Sequence, residues 1–168
     1  MTTMTDERQI QAEEKKQTYL KRVNQLFGNV KEWLKDEPLL VEEILTEINE
    51  TIMNDDIRDI YTVPMIVINT KNHEKVVHLK PVGAAVIVAK GMIDIEDPYG
   101  GREHITYMVK DGFRVLRKVG DQFVEKPMYN NVDTDNWYWL SYHDWHNAQV
   151  MNKTLLRKLI MEVSDYEF

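Results

Sequence analysis

The hydrophobic period of this chain changes twice, and those changes limit what it can fold into. Tyr19, Val23, Leu26, Phe27, Val30, Trp33 and Leu34 recur at three- and four-residue steps. That spacing makes one apolar face of a helix. From Tyr61 to Tyr142 the period falls to two, in short runs separated by turn signals. Past Asn152 it returns to the helical value, in Leu155, Leu156, Leu159, Ile160 and Val163. Helix, alternating strands, then helix predicts an α+β fold. Its sheet is expected to be a mostly antiparallel meander of about seven strands, with a long N-terminal helix and a C-terminal helix. The 168 residues suit a single domain, 1–168, with a sizeable core. No internal repeat or low-complexity linker divides it.

The first helix is expected over 5–35, capped by Thr5 or Asp6 and stopped by Asp36-Glu37-Pro38. Residues 7–16 are almost wholly polar, so 1–16 reads as a solvated extension or a surface for a second subunit. Residues 39–52 are ambiguous. Val41, Ile44, Leu45, Ile48 and Ile52 fit a helical face, which is the preferred reading, but residues 46–52 also alternate like an edge strand. Asn54-Asp55-Asp56 is expected to turn. Strands are expected over 61–69, 76–80, 84–89, 92–96, 103–110, 113–119, 122–126 and 137–142. Asp111-Gly112 and Lys90-Gly91 read as tight hairpin turns. The second of these would pair Val88 with Ile93 and Val86 with Ile95. Asn152 or Thr154 is expected to cap the last helix.

Charge and composition remove several function classes. The net charge is −7, which disfavours general affinity for nucleic acid or anionic lipid. No cysteine is present, which removes disulfides, a thiol nucleophile and cysteine-based zinc sites. The longest strongly apolar run, 82–89, is too short to span a bilayer, and no signal peptide is legible, so a cytoplasmic protein is expected. No glycine-rich phosphate loop or nucleophile elbow occurs. No cofactor is implied.

Three constellations remain. If the register of the meander holds, Asp94, Glu96, His104 and Thr106 share one face, opposite Ile93, Ile95, Ile105 and Tyr107, and His78 joins them. Two carboxylates and a histidine are candidate metal ligands or acid–base groups. A wet sheet face of ordinary screened charges is the commoner outcome of such a pattern. A metal-nuclease pattern fails, because Met108 stands where a second acid is needed. His143-Asp144-Trp145-His146 has two histidines but no helix to align them, and reads as a loop anchored by Trp145. Residues 137–145 hold three of the four tryptophans. Packing within the chain is the preferred reading of such a segment, and a protein interface and a ligand platform are the alternatives, for which Trp137, Trp139, Tyr142 and Trp145 are the candidate binding residues. Strand parity puts Trp137 and Trp139 on one face, and Tyr138, Leu140 and Tyr142 on the other. Nearby Asn130, Asn131, Asn136 and Asn147 would suit a sugar platform.

These features point to a non-catalytic interaction protein, of an accessory or immunity type, that binds a protein partner and forms a homodimer. Neither nucleic acid nor membrane is expected as a partner. The alternatives are a metal-dependent hydrolase using Asp94, Glu96 and His104, and a small-ligand or sugar-binding module built on the aromatic strand.

Overall fold

The computed structural model describes residues 3–52, 57–84 and 89–168. The elements are α1 (Met4–Leu34), β1 (Leu39–Ile52), β2 (Ile57–Thr70), β3 (Lys75–Gly83), β4 (Met92–Glu96), β5 (Arg102–Met108), β6 (Arg114–Val119), β7 (Gln122–Pro127), β8 (Asn136–Trp139), β9 (Gln149–Val150) and α2 (Lys153–Val163). Seven strands make one antiparallel sheet in the order β1-β2-β3-β4-β5-β8-β9. The fold is α+β, as the periods imply. Among the described residues, strands β6 and β7 pair only with each other, outside that sheet.

Both helices lie on one face of the sheet. The α1 stripe, from Tyr19 through Val23, Phe27 and Val30, is buried with Ile66, Leu79, Ile93, Ile95 and Ile105 from the sheet and with Leu156, Leu159 and Ile160 from α2. Each such side chain contributes about 1.5–3 kcal/mol by leaving water. Thr3, not Thr5, caps α1: its hydroxyl accepts from the Asp6 N–H at 3.2 Å, and the Asp6 carboxylate accepts from the Thr3 N–H at 3.1 Å. The polar first half of α1 is not wholly free of the sheet. Ala12 is buried, and the Lys16 ammonium pairs with Asp59 at 2.9 Å and lies over the Tyr61 ring. At the other end, Asn152 caps α2 by accepting from the Leu155 N–H at 2.9 Å.

Residues 39–52 are a strand, which corrects the helical reading. The ladder with β2 is continuous, from Leu39 opposite Thr70 to Ile52 opposite Ile57. Among the described residues, β3 pairs only with the Ile66–Asn69 stretch of β2, and among them the rest of the β1–β2 hairpin is a two-stranded ribbon. Such ribbons twist strongly. The buried side therefore changes along β1. Leu39 is buried at one end and Ile48 at the other, with the consecutive Ile44 and Leu45 exposed between them. In β2 the buried residues change parity likewise, from Tyr61 and Val63 to Ile66 and Ile68. A strand whose inward side switches parity imitates the three- and four-residue spacing of a helix.

Three further expectations change. The turn at 54–56 lies outside the described residues, as do 85–88 of the strand expected over 84–89. The expected Val88–Ile93 and Val86–Ile95 pairs give way to Pro81–Ile93 and Leu79–Ile95, with β5 on the other edge of β4. Lys90 and Gly91 are not a hairpin turn; their backbones bond to Tyr107 at 2.8 and 2.9 Å and prolong the β4–β5 ladder. Gly91 is required there, because a Cβ would stand 2.7 Å from the Tyr19 ring and φ is 154°. Tyr19 in turn donates its hydroxyl to the Met92 carbonyl at 2.7 Å, and burial pushes its pKa up. Finally, β8 ends at Trp139 rather than at Tyr142, and the two-residue β9 follows it.

Candidate functional site

The aromatic strand is covered on both faces. Trp137 and Trp139 are buried in the main core. The Trp137 indole donates to the Arg22 carbonyl of α1 at 3.1 Å, and its ring meets Tyr107 edge-on. The Trp139 indole donates to Glu103 at 2.8 Å, beneath the Lys158 ammonium. On the opposite face Tyr138 is buried in a second, smaller cluster with Met108, Tyr129, Val132 and Ala148. Its hydroxyl donates to the Thr134 carbonyl at 2.7 Å. The two faces follow strand parity, and Trp137 and Trp139 are keystones of packing with no surface to offer a ligand. Tyr142 and Trp145 stand in the loop after β8, 89% and 41% exposed. Trp145 lies over His146 and meets the buried Tyr129 edge-on, so it anchors that loop with one side only.

The polar sheet face gathers the expected residues, although β4 pairs with β3 and not through a Lys90-Gly91 hairpin. Asp94 stands opposite His104 and Lys80, and Glu96 opposite Arg102 and His78. His104 Nδ1 bonds to Asp94 Oδ1, and His78 Nε2 to Glu96 Oε2 at 2.8 Å. The Arg102 guanidinium bridges the two acids, 2.9 Å from Glu96 and 3.8 Å from Asp94. Asp94 is the buried charged residue among those described, at 7% exposure. Burial pushes the Glu96 carboxyl up, but the His78 hydrogen bond and the Arg102 and His78 charges outweigh it and hold the group below its ordinary range. Both carboxylates are thus engaged by protein cations. No group of three metal-ligating side chains occurs among the described residues. His143 and His146 are exposed in the loop after β8, and neither makes an ion pair among the described residues.

A feature that the aromatic pattern obscured is the β6–β7 hairpin. All six residues of β7 are exposed, as are five of the six in β6. Leu116 is 71% exposed and Phe123 70%, with Phe113 and Val119 also open. Lone two-stranded hairpins are at best marginally stable, and exposed apolar clusters are usually interaction surfaces. Arg114 pairs loosely with Glu125 at 3.4 Å and Asp111 at 3.7 Å, while Arg117, Lys118 and Lys126 make no ion pair among the described residues. The hairpin is therefore a basic element on an acidic chain. At its base a cavity of about 710 Å³ is lined by Arg117, Lys126, Asn130, Asn131, His146 and Asn147, among others. A second cavity of about 510 Å³ lies at Phe113, Arg114 and Met108. The alternating sequence announced two strands, but nothing in it says that they leave the main sheet.

Among known proteins, no family model, no curated protein and no solved structure matches this chain. No helix among the described residues is long and apolar enough to cross a membrane.

Proposed function

We propose that this chain is a non-catalytic interaction protein whose docking element is the β6–β7 hairpin. One observation carries the reading: an apolar, basic hairpin projects from the sheet and takes no part in either core cluster. Burying Leu116 and Phe123 in a partner would contribute about 1.5–3 kcal/mol each. A protein partner fits better than nucleic acid, because apolar side chains and cations alternate and the chain as a whole is acidic. The test is a photo-crosslinking residue at position 123, expressed in the native host. A discrete adduct that disappears with Leu116→Ser is expected; no adduct at 123, or the same adduct from Glu14 on the open side of α1, would refute the reading.

A second reading has its own support. The larger cavity gathers Asn130, Asn131, Asn147 and His146, and Trp145 stacks on His146 beside them. Carboxamides beside an open indole suit a sugar or polyol. A glycan that quenches wild-type fluorescence but not that of Trp145→Phe would establish this; no response from any glycan would remove it.

A further inference from the structure

The hairpin's own chain carries a strand that complements it. Strand β1 is an edge of the main sheet, and no strand among the described residues pairs with its outer side. Over 43–47 it reads Glu-Ile-Leu-Thr-Glu. Leu45 at its centre is 73% exposed, and Ile44 beside it and Ile60 on β2 are also open. No strand among the described residues pairs with the outer edge of β6 either; over 114–118 it reads Arg-Val-Leu-Arg-Lys, with Leu116 exposed at its centre. Residues two apart share a strand face. One face of β1 thus presents acid, leucine, acid (Glu43, Leu45, Glu47), and one face of β6 presents base, leucine, base (Arg114, Leu116, Lys118).

We infer that the hairpin's partner is a second copy of this chain, docked by edge pairing of β6 on one molecule with β1 on the next. Setting Leu45 opposite Leu116 places both glutamates opposite cations whichever way the strands run. Antiparallel, Glu43 meets Lys118 and Glu47 meets Arg114; parallel, the two cations exchange places. Opposite charges directly across a ladder stabilise it, and like charges destabilise it. The same rule disfavours symmetric pairing. Two β1 strands centred on Leu45 would set Glu43 against Glu47, and two β6 strands centred on Leu116 would set Arg114 against Lys118. The pairing is therefore between two different surfaces. Glu43 must share Lys31, and Arg114 must release Glu125 and Asp111, but all of these pairs are exposed enough to exchange. Glu47 and Lys118 carry no ion pair among the described residues. Unlike surfaces close into rings or propagate as open chains. This inference rests on the hairpin being a docking element and names what it docks on.

Light scattering coupled to size exclusion tests it, using two variants altered at exposed positions so that wild-type melting is retained. The edge variant is Leu45→Ser with Glu47→Ser, and the hairpin variant is Leu116→Ser with Lys118→Ser. Wild type is expected above monomer mass, rising with concentration and falling as salt screens the pairs. Each variant alone is expected as a monomer. An equimolar mixture is expected to form a dimer of one chain of each and nothing longer, because only one intact pair of surfaces remains. A wild type that stays monomeric, a variant that associates like wild type, or a mixture that remains monomeric would overturn the inference. A monomeric wild type whose position 123 still crosslinks a different protein would overturn the second-copy pairing and leave the docking role of the hairpin standing.

Discussion

Replacing Trp137 with Phe separates packing from binding in the aromatic segment. The substitution removes the indole N–H that bonds to the Arg22 carbonyl and the pyrrole part of a ring that is 3% exposed. Loss of the hydrogen bond costs about 1 kcal/mol. The lost burial and the void left between β8 and α1 cost about 1–2 kcal/mol more, since the surrounding core relaxes only in part. The total is about 2–3 kcal/mol, or about 4–12 °C in Tm for a chain of this length. Trp145→Phe is the control: its ring is 41% exposed and touches Tyr129 and His146 at the rim. It is expected to cost less than about 1 kcal/mol. Urea denaturation followed by far-ultraviolet circular dichroism measures both. If Trp137→Phe unfolds with wild type, or Trp145→Phe costs as much, the assignment of Trp137 to the core is wrong.

Other outcomes follow from the same geometry. Gly91→Ala is expected to lower stability by at least about 2 kcal/mol, since the new methyl meets Tyr19 and φ favours glycine, whereas Gly120→Ala, which meets nothing within 4 Å, carries only the strain of its positive φ; thermal melts of the pair check this. Glu96 has a folded-state pKa below its unfolded value, so its contribution is present above the ordinary carboxylate range and is lost as pH falls through the depressed folded value. Glu96→Gln should therefore flatten the acid limb of a stability–pH curve, and an unchanged slope below about pH 5 would contradict the pairing with His78 and Arg102. Mn²⁺, Zn²⁺ and EDTA are expected to leave the melting temperature unmoved, because Asp94 and Glu96 already hold His104, His78 and Arg102; a shift abolished by Asp94→Asn would instead support the hydrolase alternative.

Much of this architecture is legible in the sequence where one face of an element meets one core. Helix α2 and the stripe of α1 follow their apolar period, and the sorting of Ile93 and Ile95 from Asp94 and Glu96 follows from alternation. Legibility fails where a strand changes its environment along its length. The twist of the β1–β2 ribbon moves the buried side from odd to even positions, so Ile44 and Leu45 complete a helical pattern that no helix uses. At β8 aromatic density fits internal packing, the preferred reading, but does not say that two cores meet across one strand, with Trp137 and Trp139 in one and Tyr138 in the other. Alternation over 113–126 gives the hairpin but not its isolation, since local pattern does not encode which strand lies alongside.

The most direct measurement removes the hairpin. The Met128 N–H bonds to the Phe113 carbonyl at 2.7 Å, so residues 114–127 can be replaced by Asn-Gly with the chain ends already adjacent. The melting temperature is expected to stay within about 4 °C of wild type, because solvent-facing residues away from either core change stability little. Association, whether with a second copy or with the crosslinked protein, is expected to be lost. A shortened chain that unfolds far earlier, or that keeps its association, would show that the hairpin is a structural element and not the docking surface.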